Sequence, residues 1–70
     1  MNIGRNIITI RNSKKMTQQQ LADKLRIRQQ QVSRWEEGIF IPNAKNLKKL
    51  SIVLDCSIDD LLKGSDDNGL

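Results

Sequence analysis

The chain has 70 residues, with 12 lysines and arginines against 8 acidic residues, no histidine and one cysteine. A chain of this length supports one hydrophobic core and therefore one domain at most. The single Cys56 excludes an intrachain disulfide and, without histidine, leaves too few ligands for a zinc site. No apolar run near the start is long enough for a signal peptide or a membrane span, so we expect a cytoplasmic protein.

The charges are unevenly distributed along the chain. Residues 1–54 hold eleven lysines and arginines against three acidic residues, whereas residues 55–70 hold one lysine against five aspartates. A basic body with an acidic end favours a polyanionic partner for the body. A solvated basic face that binds nothing would give the same pattern, so the charge alone leaves both interpretations open.

An apolar stripe predicts a first helix over about residues 3–15. Ile3, Ile7 and Ile10 follow one another at i, i+4 and i+7, which places them on one face of a helix. Ile8 lies about 100° around the helix from Ile7, off this stripe, and has no predicted role in the core.

A capping box marks the start of a second helix over about residues 18–25. Thr17 precedes Gln20 by three residues, a spacing at which each side chain bonds the other's backbone N–H. Met16 before the cap and Leu21 after it can form a hydrophobic staple. The inner face of this helix is predicted to consist of Leu21, Ala22 and Leu25.

A third helix over about residues 29–37 follows after only three residues, 26–28. Val32 and Trp35 are spaced i, i+3 on its inner face, and Gly38 supplies a C-terminal stop. Two short helices joined by so tight a turn must cross steeply, which is the geometry of a helix-turn-helix. Trp35 is accordingly expected in the core rather than on the surface as a platform for base stacking.

Two further short helices complete the predicted domain. Asn43 is the expected cap of a fourth helix over about residues 44–54. The inner face of this helix carries Leu47, Leu50 and Leu54. Ser57 can cap a fifth helix that is ended by Gly64. The residues of the fifth helix expected to face inward are Ile58, Leu61 and Leu62.

The predicted fold is all-α, a compact domain of five short helices over residues 1–64. No segment shows the alternation of apolar and polar residues that is typical of a strand. The remaining residues, 65–70, are predicted to form a short, acidic, disordered tail. Cys56 occupies an apolar position before the fifth helix, so we expect it to be buried and unreactive.

The outer face of the third helix carries side chains that can read base edges. With Val32 pointing inward, about 100° per residue places five side chains outward or on the flank: Gln29, Gln30, Ser33, Arg34 and Glu37. A glutamine amide matches adenine N6 and N7, and an arginine fork matches guanine O6 and N7. Because glutamine is also a common solvated helix residue, these residue types alone do not decide between base reading and a plain surface.

Two segments, TQQQLADKLRIRQQQVSRWEEG and LKKLSIVLDCSIDDLL, resemble the phage-repressor-like helix-turn-helix family, also called the XRE or Cro type. The similarity covers about residues 3–63. The positions that carry it are spread over the whole predicted domain: Arg11, Leu21, Ala22, Val32, Glu36, Gly38, Pro42, Leu47, Leu50, Leu54, Leu61 and Leu62. The resemblance implies a lambda-repressor-like DNA-binding domain, with its helix-turn-helix in the second and third helices.

The resemblance also implies a role for each matching site residue. The base-reading positions would be Gln29, Gln30, Ser33 and Arg34. The phosphate-contacting positions would be Thr17, Gln18, Arg28, Asn43, Lys45 and Asn46. Arg26, in the tight turn, is added to them on account of its charge. Of these, Arg28 could also contact a base. Arg11 and Glu36 match a pair that forms a partly buried salt bridge between the first and third helices.

Two positions depart from the family pattern. Arg26 stands where a glycine with left-handed backbone is usual, a change that costs about 1 kcal/mol if that conformation is kept. Arg28 replaces the usual serine or threonine cap of the third helix, at a cost of about 1 kcal/mol. Both arginines add positive charge at the edge of the expected DNA surface. We interpret the two arginines as residues that lower the stability of the domain and, in return, add contacts with phosphate.

The loop between the third and fourth helices is unusually apolar, with Ile39, Phe40 and Ile41 in succession. One interpretation is that Phe40 packs onto Trp35 or onto the fourth helix. The other is that the three residues form an exposed patch for a second subunit or another protein. Both stay open at this point.

The function implied by the resemblance is sequence-specific regulation of transcription on double-stranded DNA, most simply as a repressor in a bacterium, phage or mobile element. The protein would be cytoplasmic and associated with the nucleoid when bound. One recognition helix covers few base pairs, so a homodimer on an inverted repeat is expected. The dimer contact would come from Ile58 and Leu62, or from residues 39–41.

The alternative function is that of an antitoxin or another protein-interaction module, which would use the same fold mainly to hold a protein partner. Enzymatic activity and a cofactor are not expected. The chain has no histidine, no nucleophile paired with a base and no glycine-rich phosphate loop.

Overall fold

A computed structural model describes residues 2–64, and this part of the chain is all-α, without a strand. The helices are α1 (Ile3–Ser13), α2 (Gln18–Leu25), α3 (Gln29–Glu36), α4 (Ala44–Val53) and α5 (Ile58–Leu62). The predicted five-helix fold is confirmed. The predicted tail, residues 65–70, lies outside the described residues. None of the helices in the described part is long and apolar enough to cross a membrane.

Side-chain caps set the starts of three helices as predicted. The Thr17 hydroxyl accepts the Gln20 N–H at 3.0 Å, and the Gln20 side chain accepts the Thr17 N–H at 2.8 Å. The Asn43 side chain accepts the Asn46 N–H at 2.9 Å. Ser57 forms a second capping box, with Asp60, at the start of α5. The hydrogen bonds from the backbone and side chain of Ser57 lower the pKa of the Asp60 carboxyl.

Four helices end in the same way, with a left-handed residue directly beyond the helical turn. Three of these residues are not glycine: Lys15 (φ 56°), Arg26 (φ 59°) and Asp55 (φ 53°), whereas Gly38 follows α3 with φ 80°. At each end the next N–H reaches back to a carbonyl five residues earlier, as from Met16 to Arg11 at 3.1 Å. This turn ends α1 at Ser13, two residues before the predicted limit, and α3 and α4 each end one residue before theirs.

The core is formed by ten buried apolar side chains contributed by or directly following every helix: Ile3, Ile7, Leu21, Ala22, Leu25, Val32, Trp35, Leu50, Leu54 and Leu61. Trp35 is 1% exposed, which confirms its predicted place in the core. Within this core α3 packs against α1 and α2, while α5 packs against α1 and α4. The second helix of the predicted helix-turn-helix, α3, is therefore packed on two sides.

Several apolar residues lie further from the core than their spacing predicts. Ile10, Leu47 and Leu62 are only partly buried. Ile58 was expected to face inward, and this is wrong, since it is 38% exposed. The reason is the length of α5, because five residues make little more than one turn, and Leu61 takes the single fully buried position.

Cys56 is partly buried against the core, which falls short of the full burial expected from its position. Burial raises the pKa of its thiol, and the nearby Asp60 raises it further. The thiol is therefore protonated at neutral pH, the form that is a poor nucleophile.

Gly4 allows a close approach of α1 to the end of α3 that no sequence pattern indicated. A Cβ at this position would collide with the backbone carbonyl oxygen of Trp35 and lie 2.8 Å from that of Glu36. Because both obstacles are backbone atoms, they cannot move aside as the end of a flexible side chain could. The spacing between the two helices therefore depends on the missing side chain.

We predict that Gly4→Ala destabilises the domain by about 2 kcal/mol or more, despite the higher helix propensity of alanine, because it overpacks this contact. Urea unfolding followed by the fluorescence of Trp35 measures the change. Thr9→Ala, an exposed substitution on the same helix, is the control and should shift stability by no more than about 0.5 kcal/mol. Equal effects of the two substitutions would show that the helices can separate freely.

Candidate nucleic-acid interface

The turn between α2 and α3 has the tight geometry that the sequence predicts. Arg26 ends α2 with φ 59° and ψ 43°, so it adopts the left-handed conformation expected at this position. The N–H of Ile27 then bonds the carbonyl of Ala22 at 3.0 Å. Arg28 begins α3 without a side-chain cap, in line with the absence of serine or threonine there. The arginines of this turn are exposed.

A shallow groove of about 430 Å³ lies between α3 and the start of α4. Its lining consists of Ile27, Arg28, Gln30, Gln31, Arg34 and Asn46. Four of these residues were predicted to contact DNA, and the fold brings them together from the turn and two helices. The groove contains two arginines and no carboxylate, so its electrostatic character is positive.

Gln31 and Ile27 line this groove although neither is among the predicted contact residues. Gln31 is three residues from both Arg28 and Arg34, and this spacing places all three side chains on one side of the chain as it enters and follows α3. If the i, i+3 spacing is counted from Arg28 and Arg34, rather than from the buried Val32, it predicts that Gln31 belongs to this group.

Gln18 and Gln29 are joined to each other at the N-terminal ends of α2 and α3. The Gln29 amide donates to the Gln18 side-chain oxygen at 2.9 Å, and the Gln18 amide donates to Glu36 Oε1 at 2.8 Å. Each glutamine thus has a fixed orientation before any ligand arrives. Their contacts with a phosphate and a base stay predictions.

The predicted ion pair between Arg11 and Glu36 is present. Arg11 Nε lies 2.7 Å from Glu36 Oε2, and Arg11 Nη2 donates to Oε1 at 3.0 Å. The Glu36 side chain is 4% exposed, and Arg11 Nη1 also donates to the Met16 carbonyl at 2.8 Å. Loss of one partner of such a desolvated pair costs about 3–5 kcal/mol, because the remaining charge stays buried.

The other predicted contact residues lie outside the groove. Thr17 and Asn43 use their side-chain oxygens as helix caps, while Ser33 is partly buried and Lys45 is exposed. Arg26 lines a separate depression, together with Lys24, Leu25, Lys49, Ile52 and Val53. The fold therefore separates the charge of Arg26 from the groove that holds Gln30 and Arg34.

The apolar loop after α3 is exposed. Ile39, Phe40 and Ile41 all retain half or more of their accessible surface, and Phe40 is 51% exposed. Phe40 borders a small cavity with Trp35, and its ring centroid lies 5.9 Å from Arg34 Cζ. The structure thus favours the exposed-patch interpretation over packing in the core, with one face of the ring next to a predicted base-reading residue.

Comparison with known proteins identifies the architecture. A family model described as Helix-turn-helix matches residues 7–61, which is more than half of the chain and includes all of the elements that form the groove. The chain belongs to the helix-turn-helix family. The resemblance to XRE-type proteins is thereby confirmed, and the helix-turn-helix of this family member consists of α2 and α3.

The relatives of this helix-turn-helix protein carry regulatory names. It is 43% identical over 67 residues to the transcriptional regulator DicA of Escherichia coli, a match covering 96% of this chain and 50% of DicA. It is 44% identical over 59 residues to the uncharacterized regulator YqaE of Bacillus subtilis, covering 84% and 51% of the two chains. A third relative, at 35% identity over 66 residues, is the transcriptional activator BcrR of Enterococcus faecalis.

The chain spans between about a third and about a half of the length of these relatives, with 32% of BcrR covered. No solved structure matches the chain significantly.

We predict that Arg26→Gly stabilises the domain by about 1 kcal/mol, because glycine adopts the left-handed conformation without steric cost. For a domain of this size the melting temperature should rise by about 4–8 °C. If Arg26 holds a phosphate, the same substitution weakens DNA binding. Arg26→Ala is the matched control, since it removes the charge and keeps the strained backbone. Unchanged affinity of Arg26→Gly at low salt would contradict the phosphate role.

Proposed function

We propose that this helix-turn-helix protein is a sequence-specific regulator of transcription that inserts α3 into the major groove of double-stranded DNA. The observation that carries the proposal is the positive groove beside α3, where Arg28, Gln30 and Arg34 gather with Asn46 from α4. A short helix with a polar and basic outer face, fixed to the body by its inner face, suits insertion into a groove about 12 Å wide.

The base-reading chemistry would reside on the outer face of α3. Gln30 is exposed and offers the donor and acceptor that match adenine N7 and N6, while Arg34 offers the two parallel N–H groups that match guanine O6 and N7. Ser33 and Gln29 flank these two residues on α3 and would contact the neighbouring bases.

The phosphate contacts would surround this helix. The N-termini of α2 and α4 expose backbone N–H groups and a partial positive charge, which favour phosphate binding. The side chains that would accompany them are Thr17, Gln18, Arg26, Arg28, Asn43, Lys45 and Asn46. Such contacts fix the orientation of α3 on the duplex without reading its sequence.

A homodimer on an inverted repeat is the assembly that such a reader requires, since one α3 covers too few base pairs for tight specific binding. The exposed apolar side chains at the corner of α4 and α5 support a contact there. Ile52 is 69% exposed and Ile58 is 38% exposed, next to the partly buried Leu62. Occlusion of a promoter by the bound dimer would make the protein a repressor.

A second function is favoured by one observation, the exposure of Ile39, Phe40 and Ile41 in succession. Three consecutive exposed apolar residues are a typical contact for another protein. The domain would then act as an antitoxin or a related interaction module that holds a protein partner. This function predicts that substitutions in the loop release a co-purifying chain while DNA binding is retained.

The proposed function is tested by selecting bound fragments from a random duplex library at about 150 mM salt, where non-specific phosphate binding is weak. We expect enrichment of an inverted repeat with half-sites about one helical turn apart. Gln30→Ala should relax the preference at one position of each half-site, at a cost of about 1–3 kcal/mol. Gln19→Ala, an exposed glutamine of α2, is the control and should leave the preference intact.

The absence of any enriched sequence, together with binding that vanishes as salt rises, would overturn the proposal. Enrichment that survives Gln30→Ala unchanged would remove Gln30 from the readout, and the same result for Arg34→Ala as well would move the readout away from α3.

We predict that Ile58→Asp weakens the dimer, because it places a charge in the apolar contact at the corner of α4 and α5. Analytical ultracentrifugation of the purified protein measures the dissociation constant, which should rise about tenfold or more. Ile41→Asp, an equivalent change in the exposed loop, distinguishes the two candidate surfaces. A dimer weakened by Ile41→Asp alone would assign the contact to the loop instead.

A further inference from the structure

We propose that Phe40 is a positioning residue for Arg34, and that it thereby sets the base preference at the position which Arg34 reads. The inference rests on the proposed function and adds a residue outside the helix-turn-helix to its specificity. It starts from a contact between the exposed apolar loop and the outer face of α3, that of the Phe40 ring with the Arg34 guanidinium.

The backbone of the loop is anchored to the residue whose side chain it covers. Gly38 turns the chain with φ 80°, and its N–H bonds the Trp35 carbonyl at 3.1 Å. The N–H groups of Ile39 and Phe40 both point to the Arg34 carbonyl, at 3.0 and 3.4 Å. The ring therefore starts from a fixed place relative to Arg34, which a freely moving loop would not provide.

The ring lies at the edge of the core, directly beside the Arg34 side chain. Phe40 borders a cavity of about 170 Å³ together with Ile3, Gly4, Trp35, Gly38 and Ile41. The Arg34 guanidinium lies over the ring, with its Cζ 5.9 Å from the ring centroid. That distance is within the range of a cation–π interaction. The half-exposed ring therefore has the guanidinium as a neighbour on one face.

An aromatic neighbour is suited to a base-reading arginine for a chemical reason. A carboxylate that held Arg34 in place would occupy the N–H donors that guanine requires. A ring attracts the guanidinium through its face and accepts no conventional hydrogen bond, so the donors at the edge of the fork stay available for a base. Phe40 can therefore order Arg34 without competing with its ligand.

The geometry is tested first by NMR on the free 70-residue chain. Ring currents from Phe40 should shift the Arg34 δ-proton and Nε–H resonances upfield, Phe40→Leu should abolish the shift, and Phe40→Tyr should preserve it. The fold of each variant is checked by the spectrum of Trp35. If the Arg34 resonances are the same in the native chain and in Phe40→Leu, the assignment of Phe40 is overturned whatever happens with DNA.

The consequence for specificity is tested on the DNA site selected by the native protein. Phe40→Leu should weaken binding about two- to fivefold, as expected for loss of one cation–π interaction, and should flatten the preference at the Arg34 position. Phe40→Tyr should restore both. In the background of Arg34→Ala, Phe40→Leu should have no further effect, which a merely structural role of the ring would not predict.

Ile39→Ala is the matched control, because Ile39 is equally exposed in the same loop, and its substitution should leave the base preference unchanged. An Ile39→Ala variant that flattens the preference as much as Phe40→Leu would overturn the proposal. If the native protein enriches no site, the proposed function fails and the specificity role of Phe40 fails with it. The NMR result distinguishes a second outcome, in which the protein reads DNA as proposed but Phe40 does not position Arg34.

Discussion

The domain depends on the buried carboxylate of Glu36, where three helices meet. Arg11 of α1 donates two hydrogen bonds to it, and Gln18 of α2 donates a third, while Glu36 itself belongs to α3. A carboxylate that is 4% exposed is tolerated only because its charge is compensated and its lone pairs are occupied. The same carboxylate therefore fixes the register of α3 against both neighbouring helices.

The order created at Glu36 extends to the surface of α3. The Gln18 amide donates to Glu36, and the Gln18 side-chain oxygen accepts from Gln29. Gln29 at the start of α3 is therefore linked through Gln18 to Glu36, the last residue of the helix. At the C-terminal end of α3, the bare backbone of Gly4 approaches the Trp35 and Glu36 carbonyls. With both ends fixed, the outer face of α3 is presented as a rigid unit, which reduces the ordering needed on binding.

The sequence was sufficient wherever structure is set by nearby residues. The capping box at Thr17, the caps at Asn43 and Ser57 and the stripe of Ile3 and Ile7 concern residues within two turns of one another, so their spacing determines the outcome. The left-handed Arg26 came from the family pattern, not from its own chemistry, since arginine does not favour that conformation.

The sequence was insufficient wherever partners are distant along the chain. The approach of Gly4 to Trp35 spans 31 positions, and the bond from Gln18 to Glu36 spans 18, so no local period indicates either. Ile58 satisfied the apolar pattern but sits at the start of a helix too short to bury it. The sequence also left the exposure of Phe40 undecided, for a related reason. Whether a loop side chain packs in the core depends on the direction of the turn at Gly38.

The positions of the acidic residues determine where on the domain the excess positive charge lies, which composition alone cannot show. Glu36 is neutralised by Arg11 inside the domain, and Asp23 is held by Gln19 on α2. Asp55 and Asp60 line a different cavity, between α1 and the start of α5. The lining of the groove beside α3 thus contains arginines and no carboxylate, and the exposed Glu37 follows at the C-cap of α3 without lining the groove. Such a one-sided field orients an approaching polyanion toward α3, whereas a uniformly basic surface would hold it in any orientation.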